Sequence, residues 1–397
     1  MKVQDFVKII GGEFFTGVPD SLLKPLVDYL IDNWQDNKNH VIAANEGNAV
    51  AIGAGYHLAT GKVPVIYMQN SGEGNAVNPI ASLLHPKVYG IPELFIIGWR
   101  GEPGVKDEPQ HVFQGEITLK LLEILEIKYY VIRNNITLQE LSRMMEIIQK
   151  LLQQGKSAAL VVAKGALIYE KKKYANSYLM KREDILEHIL AVTGDNPIIS
   201  TTGKASRELF ELREKNKLVD DVNVHSRDFL TVGSMGHSSS IALGMALQLP
   251  EKNIWCIDGD GAILMHGGAM AVIGKAQPEN LIHVVINNEA HESVGGQPTA
   301  ANAVDLTAMA TACGYKYAHC VADFASLDKI LEKYAELKGL RFLEIKAAIG
   351  SRTNLGRPDI DAIENKKYFM RCNWKPFLYM LYYILRNNRK GGNACVK

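Results

Sequence analysis

The sequence predicts an α/β protein of two domains, each built on a doubly wound parallel sheet with helices on both faces. Short β-rich apolar runs alternate with longer helical patterns along most of the chain, as such sheets require. A length of 397 residues with 47% hydrophobic content suffices for two ordinary domains, each with its own core. A polar stretch near the middle separates the two halves.

Ten short apolar runs are predicted to be strands, five in each half of the chain. In the first half they span residues 40–44, 63–69, 94–99, 129–133 and 158–163. In the second half they span residues 197–201, 222–225, 253–257, 282–286 and 342–346. Because helical patterns lie between them, we expect the strands of each half to be parallel and joined by crossover helices.

The boundary between the halves is predicted within residues 168–180, where a polar segment breaks the apolar rhythm. We therefore expect a first domain over residues 1–167 and a second over residues 181–350. Turn-forming and charged residues come next, so residues 351–397 are expected to be a tail. The apolar run 374–385 is too short to span a bilayer, which leaves a peripheral helix, an oligomer contact or an interfacial anchor.

Charge and cysteine usage exclude several classes of protein. Lys and Arg number 44 against 43 for Asp and Glu, so no broad basic field is available for nucleic acid or for an anionic membrane. The five cysteines form no CxxC pair and no metal-ligand spacing. Asp5 lies inside what would be the apolar part of a signal peptide. We expect a cytoplasmic protein without nucleic-acid or membrane partners.

The sharpest local motif follows the predicted strand 253–257. Gly259 and Gly261 flank Asp260 in a turn that opens a helix, where backbone amides and the helix dipole favour a phosphate. Asn287 and Asn288 follow the next predicted strand, so an amide oxygen and the Asp260 carboxylate can hold one hard cation such as Mg²⁺. The Gly-Asp-Gly tripeptide alone would be explained equally well by a plain tight turn.

Together these two segments resemble the cofactor motif of thiamine diphosphate-dependent enzymes, in which GDG is followed by NN. The resemblance implies thiamine diphosphate and Mg²⁺ as cofactors. The residues that it assigns to the cofactor's diphosphate and metal are Gly259, Asp260, Gly261, Ala262 and Asn288. The metal ligands that it implies are Asp260, Asn288 and the backbone carbonyl of Ala290.

Glu46 matches a second requirement of that family, a glutamate that opens a helix after the second strand of a separate pyrimidine-binding domain. Here the predicted strand 40–44 leads into Asn45 and Glu46, and the helical run that follows ends at Gly61. The resemblance implies that the Glu46 carboxyl bonds the cofactor's aminopyrimidine and assists its activation. By itself, a glutamate at a helix start is an ordinary dipole-complementing residue.

Gly233 and Met235 match a third feature of the family. The resemblance implies that the backbone at both residues meets the pyrimidine, and that the Met235 side chain wedges beneath the cofactor. Simple core packing is the alternative explanation for this methionine.

A chain of this length has no room for the central third domain that most members of the family carry. Direct joining of the two domains resembles the phosphonopyruvate and sulfopyruvate decarboxylases. Segments that carry the resemblance are 15–21, 70–79, 98–104, 107–111, 291–298 and 355–358. It implies decarboxylation of 3-phosphonopyruvate to phosphonoacetaldehyde and CO₂ in phosphonate (2-aminoethylphosphonate) biosynthesis, by a homo-oligomer whose active sites are shared between subunits.

The substrate's remote anionic group needs cationic or amide donors. Arg100, Lys106, Arg352 and Arg357 are candidates because each lies in a Gly/Pro-rich loop. A solvated surface position is the alternative for every one of them.

Release of an aldehyde requires a proton donor. His111 and His291 have suitable intrinsic pKa values, and Asp20 is a further candidate if burial raises its pKa. A structural role is the alternative for each histidine.

Other activities remain open at this point. Sulfopyruvate decarboxylation is the nearest alternative, since sulfonate and phosphonate differ little in shape. Acetolactate-type carboligation is disfavoured because those enzymes have three domains. A non-catalytic thiamine diphosphate-binding subunit is a remote alternative, since such a subunit would be expected to lack Glu46 or a metal ligand.

Overall fold

The computed structural model describes residues 1–34, 38–170, 172–216 and 224–373, which fold around two six-stranded parallel sheets. Helices surround both sheets, so the predicted fold class is confirmed. The apolar run 374–385, with the rest of the tail beyond residue 373, lies outside the described residues.

The first sheet has the strand order β2-β1-β3-β4-β6-β5, with every pair parallel. Its strands are β1 (Phe15–Gly17), β2 (His40–Ile42), β3 (Val65–Gln69), β4 (Leu94–Gly98), β5 (Lys128–Ile132) and β6 (Ala158–Val162). The α-helices of this half are α1 (Val3–Ile10), α2 (Lys24–Asn33), α3 (Glu46–Thr60), α4 (Glu73–Pro79), α5 (Pro109–Ile124) and α6 (Leu138–Gln153).

The second sheet has the order β13-β14-β10-β9-β7-β8 and is also parallel throughout. Its strands are β7 (Ile198–Ser200), β8 (Asp228–Leu230), β9 (Ile254–Gly259), β10 (Leu281–Asn287), β13 (Tyr317–Val321) and β14 (Arg341–Lys346). A short antiparallel pair joins β11 (Ala290–His291) to β12 (Gln297–Pro298). The α-helices are α7 (Arg182–Thr193), α8 (Lys204–Lys215), α9 (Ser238–Gln248), α10 (Asp260–Met265), α11 (Gly268–Ala276), α12 (Leu306–Ala312), α13 (Phe324–Glu336) and α14 (Ala362–Asn373).

Each sheet is buried on both faces, which explains why its strands read as continuous apolar runs. Along β3, Val65 and Tyr67 pack into one apolar cluster and Ile66 and Met68 into another on the opposite face. Strand β10 alternates in the same way between two clusters of the second half. Four cores, two for each sheet, therefore hold the strands in place.

Nine of the ten predicted strands overlap observed ones, and the prediction at 222–225 is wrong. Residues 222 and 223 lie outside the described part of the chain, and Val224 and His225 form a turn. The strand lies further on, at Asp228–Leu230, and begins with a buried carboxylate that Arg213 Nε bonds at 2.8 Å. A strand that starts on a paired charge does not have an apolar pattern.

Besides β8, the sequence prediction missed β1 and β13 of the large sheets and the two-residue strands β11 and β12. Strand β1 has three residues but lies between β2 and β3 in the first sheet. A Cβ at Gly17 would lie 2.0 Å from the Tyr67 carbonyl oxygen, so the strand passes too close to its neighbour for any side chain there.

Asp28 of α2 connects the two halves of the chain. Its carboxylate accepts hydrogen bonds from Tyr174 Oη and from Gln297 Nε2, both at 2.9 Å, and pairs with Lys24. Tyr174 belongs to the segment between the sheets, and Gln297 belongs to β12. Because Asp28 is almost fully buried, these bonds are shielded from water and hold the two halves together.

Buried His40 predicts a pH-dependent stability. Burial lowers the pKa of His40 to about 4, whereas the unfolded chain has the ordinary value near 6.5. Between these values the unfolded state binds a proton that the folded state does not, so the free energy of unfolding falls as the pH is lowered. From pH 7 to pH 5 we expect His40→Gln to lose about 2 kcal/mol less than the parent protein.

Urea unfolding at both pH values measures this difference. His57→Gln is the matched control, because that ring bonds the Lys62 carbonyl at the surface. The control should lose as much stability as the parent protein. An equal loss in the His40 variant would remove His40 as a source of the pH dependence.

Candidate active site

A cleft of about 670 Å³ lies where the carboxyl ends of strands from both sheets face each other. Its lining residues come mainly from the segments that follow β1, β2, β3, β4, β7, β8, β9, β10 and β14. Ligands of open parallel sheets bind at this edge, because the strands direct their connecting loops there.

Glu46 enters the cleft from the start of α3. Asn45 caps the helix by accepting a hydrogen bond from the Asn48 amide at 2.8 Å. The Glu46 side chain is buried, and Asn75 Nδ2 donates to its Oε2 at 2.8 Å. A Cβ at Gly72 would lie 2.2 Å from Glu46 Oε1, so glycine there leaves room for the carboxylate. Burial raises the pKa of Glu46, and the hydrogen bond from Asn75 opposes that rise.

Asp260 follows β9 as the first residue of α10, and Gly259, Gly261 and Ala262 also line the cleft. The Asp260 carboxylate is only 3% exposed and accepts a hydrogen bond from Thr299 Oγ1. Burial raises its pKa to about 6, while bonds from its own backbone amide and those of Gly261 and Asn288 oppose this rise. Asp260 is therefore a fixed acidic group at the cleft wall.

The loop after β10 brings Asn288 beside this carboxylate, because β9 and β10 are neighbours in the sheet. Asn288 Oδ1 accepts from the Ala290 amide at 3.1 Å, and its Nδ2 donates to Glu292 at 2.8 Å. Glu289 between them adopts a left-handed backbone with φ 59°. Asn287 bonds Glu344 instead and does not line the cleft. Of the two asparagines, Asn288 faces the site.

Gly233 and Met235 also line the cleft, in the loop after β8. This loop is tightly folded: Ser234 has φ 55° and Gly236 has φ 85°. A Cβ at Gly236 would lie 2.8 Å from the Ala262 carbonyl oxygen. The glycine thus allows the Met235 loop to pack directly against α10.

The donor set suits a hard cation beside a phosphate. Asp260 supplies a carboxylate, Asn288 an amide oxygen and Ala290 a backbone carbonyl, and all three residues line the cleft. Thr201 Oγ1 is buried on the same wall with no hydrogen-bond partner among the described residues. Such an unpaired polar atom suits a site that completes its bonds with a ligand.

Two family profiles match the chain. The profile of the thiamine pyrophosphate enzyme N-terminal TPP-binding domain matches residues 3–123, and that of the C-terminal TPP-binding domain matches residues 201–345. The chain belongs to the thiamine pyrophosphate enzymes. Within this family it is a thiamine diphosphate-dependent decarboxylase, as its relatives show.

Three relatives align with nearly the full chain. Phosphonopyruvate decarboxylase of Streptomyces viridochromogenes is 35% identical, with 91% of each chain covered. Phosphonopyruvate decarboxylase of Streptomyces hygroscopicus is 33% identical, covering 93% of this chain and 92% of the relative. Sulfopyruvate decarboxylase of Methanosarcina acetivorans is 27% identical, covering 90% of this chain and 93% of the relative.

This thiamine pyrophosphate enzyme forms its cleft within one chain, whereas the resemblance implied sites shared between subunits. Glu46 from the first half and Asp260 from the second line the same cleft. Asn45 Nδ2 donates to the Met265 carbonyl at 3.0 Å and joins the two walls directly. Residues of both halves thus reach one cleft within the described chain. Sharing of active sites between subunits stays a prediction.

Two of the three predicted proton donors of the decarboxylase line the cleft. His111 Nδ1 lies 3.1 Å from Asp107 Oδ1, and burial lowers the pKa of His111 while Asp107 raises it. Burial lowers the pKa of His291 to about 4. Asp20 does not reach the cleft wall: its buried carboxylate accepts from the Leu22 and Leu23 amides, although burial raises its pKa to about 6.

The predicted cationic residues divide into two groups. Arg100 and Arg357 line the cleft, where Arg100 Nε bonds Asp107 at 2.8 Å and Arg357 pairs with Glu108. Lys106 and Arg352 do not line the cleft, and their contact with the substrate stays a prediction.

Lys106 and Arg352 lie in different environments outside the cleft. Lys106 is exposed in its loop. Arg352 pairs with Glu183 of α7 and Glu211 of α8, which hold its side chain away from the cleft. A basic residue in a loop near the site thus need not point into it.

Several lining residues were missed by the sequence analysis. Asn75 bonds Glu46, and Lys204 and Arg207 enter from the first turn of α8. A signal for α8 was present, because Gly203 lies just after an apolar strand and directly before a helix, with a left-handed φ of 89°. Asn75 offered no such signal, since it approaches Glu46 only through packing of α3 against α4.

Proposed function

We propose that this decarboxylase converts 3-phosphonopyruvate to phosphonoacetaldehyde and CO₂, with thiamine diphosphate and Mg²⁺ as cofactors. The supporting observation is one cleft that contains the buried carboxyl Glu46, the oxygen donors around Asp260 and the guanidinium groups of Arg100 and Arg357. Two relatives that align with over nine-tenths of the chain are phosphonopyruvate decarboxylases, which supports this substrate.

The proposed cofactor site fits the residues present. Asp260, Asn288 and the Ala290 carbonyl would hold Mg²⁺, and the backbone around Gly259, where added side-chain volume would meet open space, would receive the diphosphate. When bound, thiamine diphosphate acts as the electron sink for the departing carboxylate.

Glu46 is the proposed acid–base group for the cofactor's pyrimidine. Burial raises the pKa of Glu46, so its carboxyl keeps a proton more readily than a surface glutamate does. Asn75 fixes the carboxylate by donating to Oε2, which leaves the side chain oriented before any ligand arrives. The raised pKa and the fixed orientation of the Glu46 carboxyl thus suit it to proton exchange with a buried base.

His111 is the proposed proton donor to the product, ahead of His291. Burial lowers the pKa of His111, but the Asp107 carboxylate accepts from that ring and opposes the shift, whereas burial acts alone on His291. His291 has a pKa of about 4 and is neutral near pH 7, so it carries no imidazolium proton to give.

Several broader assignments belong to the same proposal. We infer a homo-oligomer that acts in the cytoplasm in phosphonate (2-aminoethylphosphonate) biosynthesis, without membrane or nucleic-acid partners. Among the described residues, no helix combines the length and the apolar character needed to cross a bilayer. The proposed domains are residues 1–167 and 181–350, with a linker at 168–180 and a tail at 351–397.

Carbon dioxide release tests the proposal and its nearest alternative together. The purified protein would be given thiamine diphosphate and Mg²⁺ with phosphonopyruvate, sulfopyruvate or pyruvate, and an EDTA-treated sample would serve as the control. We expect phosphonopyruvate to be preferred and the treated sample to be inactive. Preference for sulfopyruvate would favour the activity named for the Methanosarcina acetivorans relative. No release from any substrate would refute the catalytic proposal.

A further inference from the structure

Arg207 enters the cleft from the first turn of α8. It is the fourth residue of α8, which begins directly after the left-handed Gly203 that ends the β7 loop. This helix start directs Arg207 toward the cleft, which it lines together with Arg100 and Arg357. The three arginines come from three separate segments: the loop after β4, helix α8 and the chain that follows β14.

Among the described residues, four arginines line the cleft, and three of them have carboxylate partners. Arg100 pairs with Asp107, Arg182 with Glu208 and Glu292, and Arg357 with Glu108. Arg207 has neither a hydrogen bond nor an ion pair within the part of the chain that the structure describes. Its five N–H donors therefore remain available for a ligand.

The positive charges around Arg207 favour the binding of an anion beside it. Partial burial and the positive charges of Arg357 and Arg100 all lower the pKa of Arg207, and Glu108 only partly offsets them. A guanidinium remains protonated under such conditions, so repulsion among the arginines persists in the ligand-free cleft. An anion with several oxygens would relieve this repulsion and accept paired hydrogen bonds from the planar guanidinium.

We propose that Arg207 binds the second anionic group of the substrate and sets the preference for substituted over unsubstituted 2-oxo acids. This inference rests on the proposed function, because it needs a substrate that carries such a group. The remote group is a better partner than the leaving carboxylate. A cation beside that carboxylate would stabilise the ground state, in which its charge is present, more than the transition state, in which the charge is lost.

Charge removal at Arg207 provides the test. In Arg207→Gln, the ratio of kcat/KM for phosphonopyruvate to kcat/KM for pyruvate should fall at least about tenfold, as expected for a lost hydrogen bond to a charged group. Arg207→Lys keeps the charge but not the planar fork, so its ratio should lie between those of the parent and of Arg207→Gln. Lys215→Gln is the matched control, since it removes a positive charge from the exposed end of the same helix.

A second measurement separates binding from turnover. The probe is 3-phosphonopropionate, which has the carboxylate and the phosphonate but no 2-oxo group to react. Its dissociation constant, measured by calorimetry on the cofactor-loaded protein, should rise about tenfold or more in Arg207→Gln and stay unchanged in Lys215→Gln. An unchanged constant, or equal losses for phosphonopyruvate and pyruvate, would overturn the role of Arg207.

These outcomes can be distinguished from failure of the proposed function. If the parent protein prefers sulfopyruvate, the proposed substrate fails, and the ratio for sulfopyruvate over pyruvate tests Arg207 in the same way. If the parent protein turns over no 2-oxo acid, calorimetry with 3-phosphonopropionate still decides whether Arg207 binds the phosphonate.

Discussion

Glu46→Gln is expected to lower kcat for decarboxylation about 10³-fold while cofactor binding is largely retained. Glutamine preserves the size of the buried side chain, and its carbonyl oxygen can still accept from Asn75. It has no acidic proton to exchange, however, so the cofactor's pyrimidine would lose its acid–base partner. The loss should therefore appear in kcat and in the rate of hydrogen–deuterium exchange at C2 of bound thiamine diphosphate.

Glu93→Gln is the matched control for this experiment. Glu93 is also a buried carboxyl in the first half of the chain, and burial raises its pKa well above the ordinary value, but it does not line the cleft. Its variant should exchange C2 at the parent rate. If Glu46→Gln with bound cofactor also exchanged the C2 hydrogen at the parent rate, Glu46 would have no part in activating the cofactor.

Asp260→Ala is expected to raise the dissociation constant of thiamine diphosphate, measured with Mg²⁺ present, by more than about 100-fold. Loss of a group that only supports a metal ligand typically costs 10–100-fold in affinity, and Asp260 is the proposed ligand itself. The remaining ligands from the chain, the Asn288 amide and the Ala290 carbonyl, carry no negative charge to balance the cation. Calorimetric titration of the cofactor with and without Mg²⁺ measures the effect.

Two further variants make the test of Asp260 specific. Thr299→Val removes only the hydroxyl that donates to the Asp260 carboxylate, so its loss should be smaller than that of Asp260→Ala. Asp195→Ala removes a carboxylate that is exposed at the surface and should bind the cofactor normally. If Asp260→Ala bound the cofactor as tightly as Asp195→Ala, the metal assignment would be refuted, provided circular dichroism showed an intact fold.

Motifs that lie within one strand–turn–helix unit were predictable from the sequence. Asp260 and Asn288 follow adjacent parallel strands, and local pattern alone placed both at the same sheet edge. Glu46 was located in the same way by the strand before it and the helix after it. In such units the spacing along the chain determines which end of the sheet a residue reaches.

Residues whose position depends on packing between distant segments were not predictable. Arg352 lies in a loop near the cleft, yet Glu183 and Glu211, far away in the sequence, bind it elsewhere. Asp20 was a reasonable acid by type, but its carboxylate bonds its own turn instead of facing the cleft. Arg207 was overlooked because the absence of a partner is a property of the folded chain and has no counterpart in the sequence.

The division between buried strands and the loops at their carboxyl ends has a consequence for how new specificities arise in this protein. The residues that contact the proposed ligands follow the strands, while the four apolar clusters lie beneath them and hold the sheets together. Mutations in these loops can alter which acid is accepted without opening cavities in a core. The protein is thus well suited to laboratory evolution, because most variants in a library limited to a few loop positions would still fold.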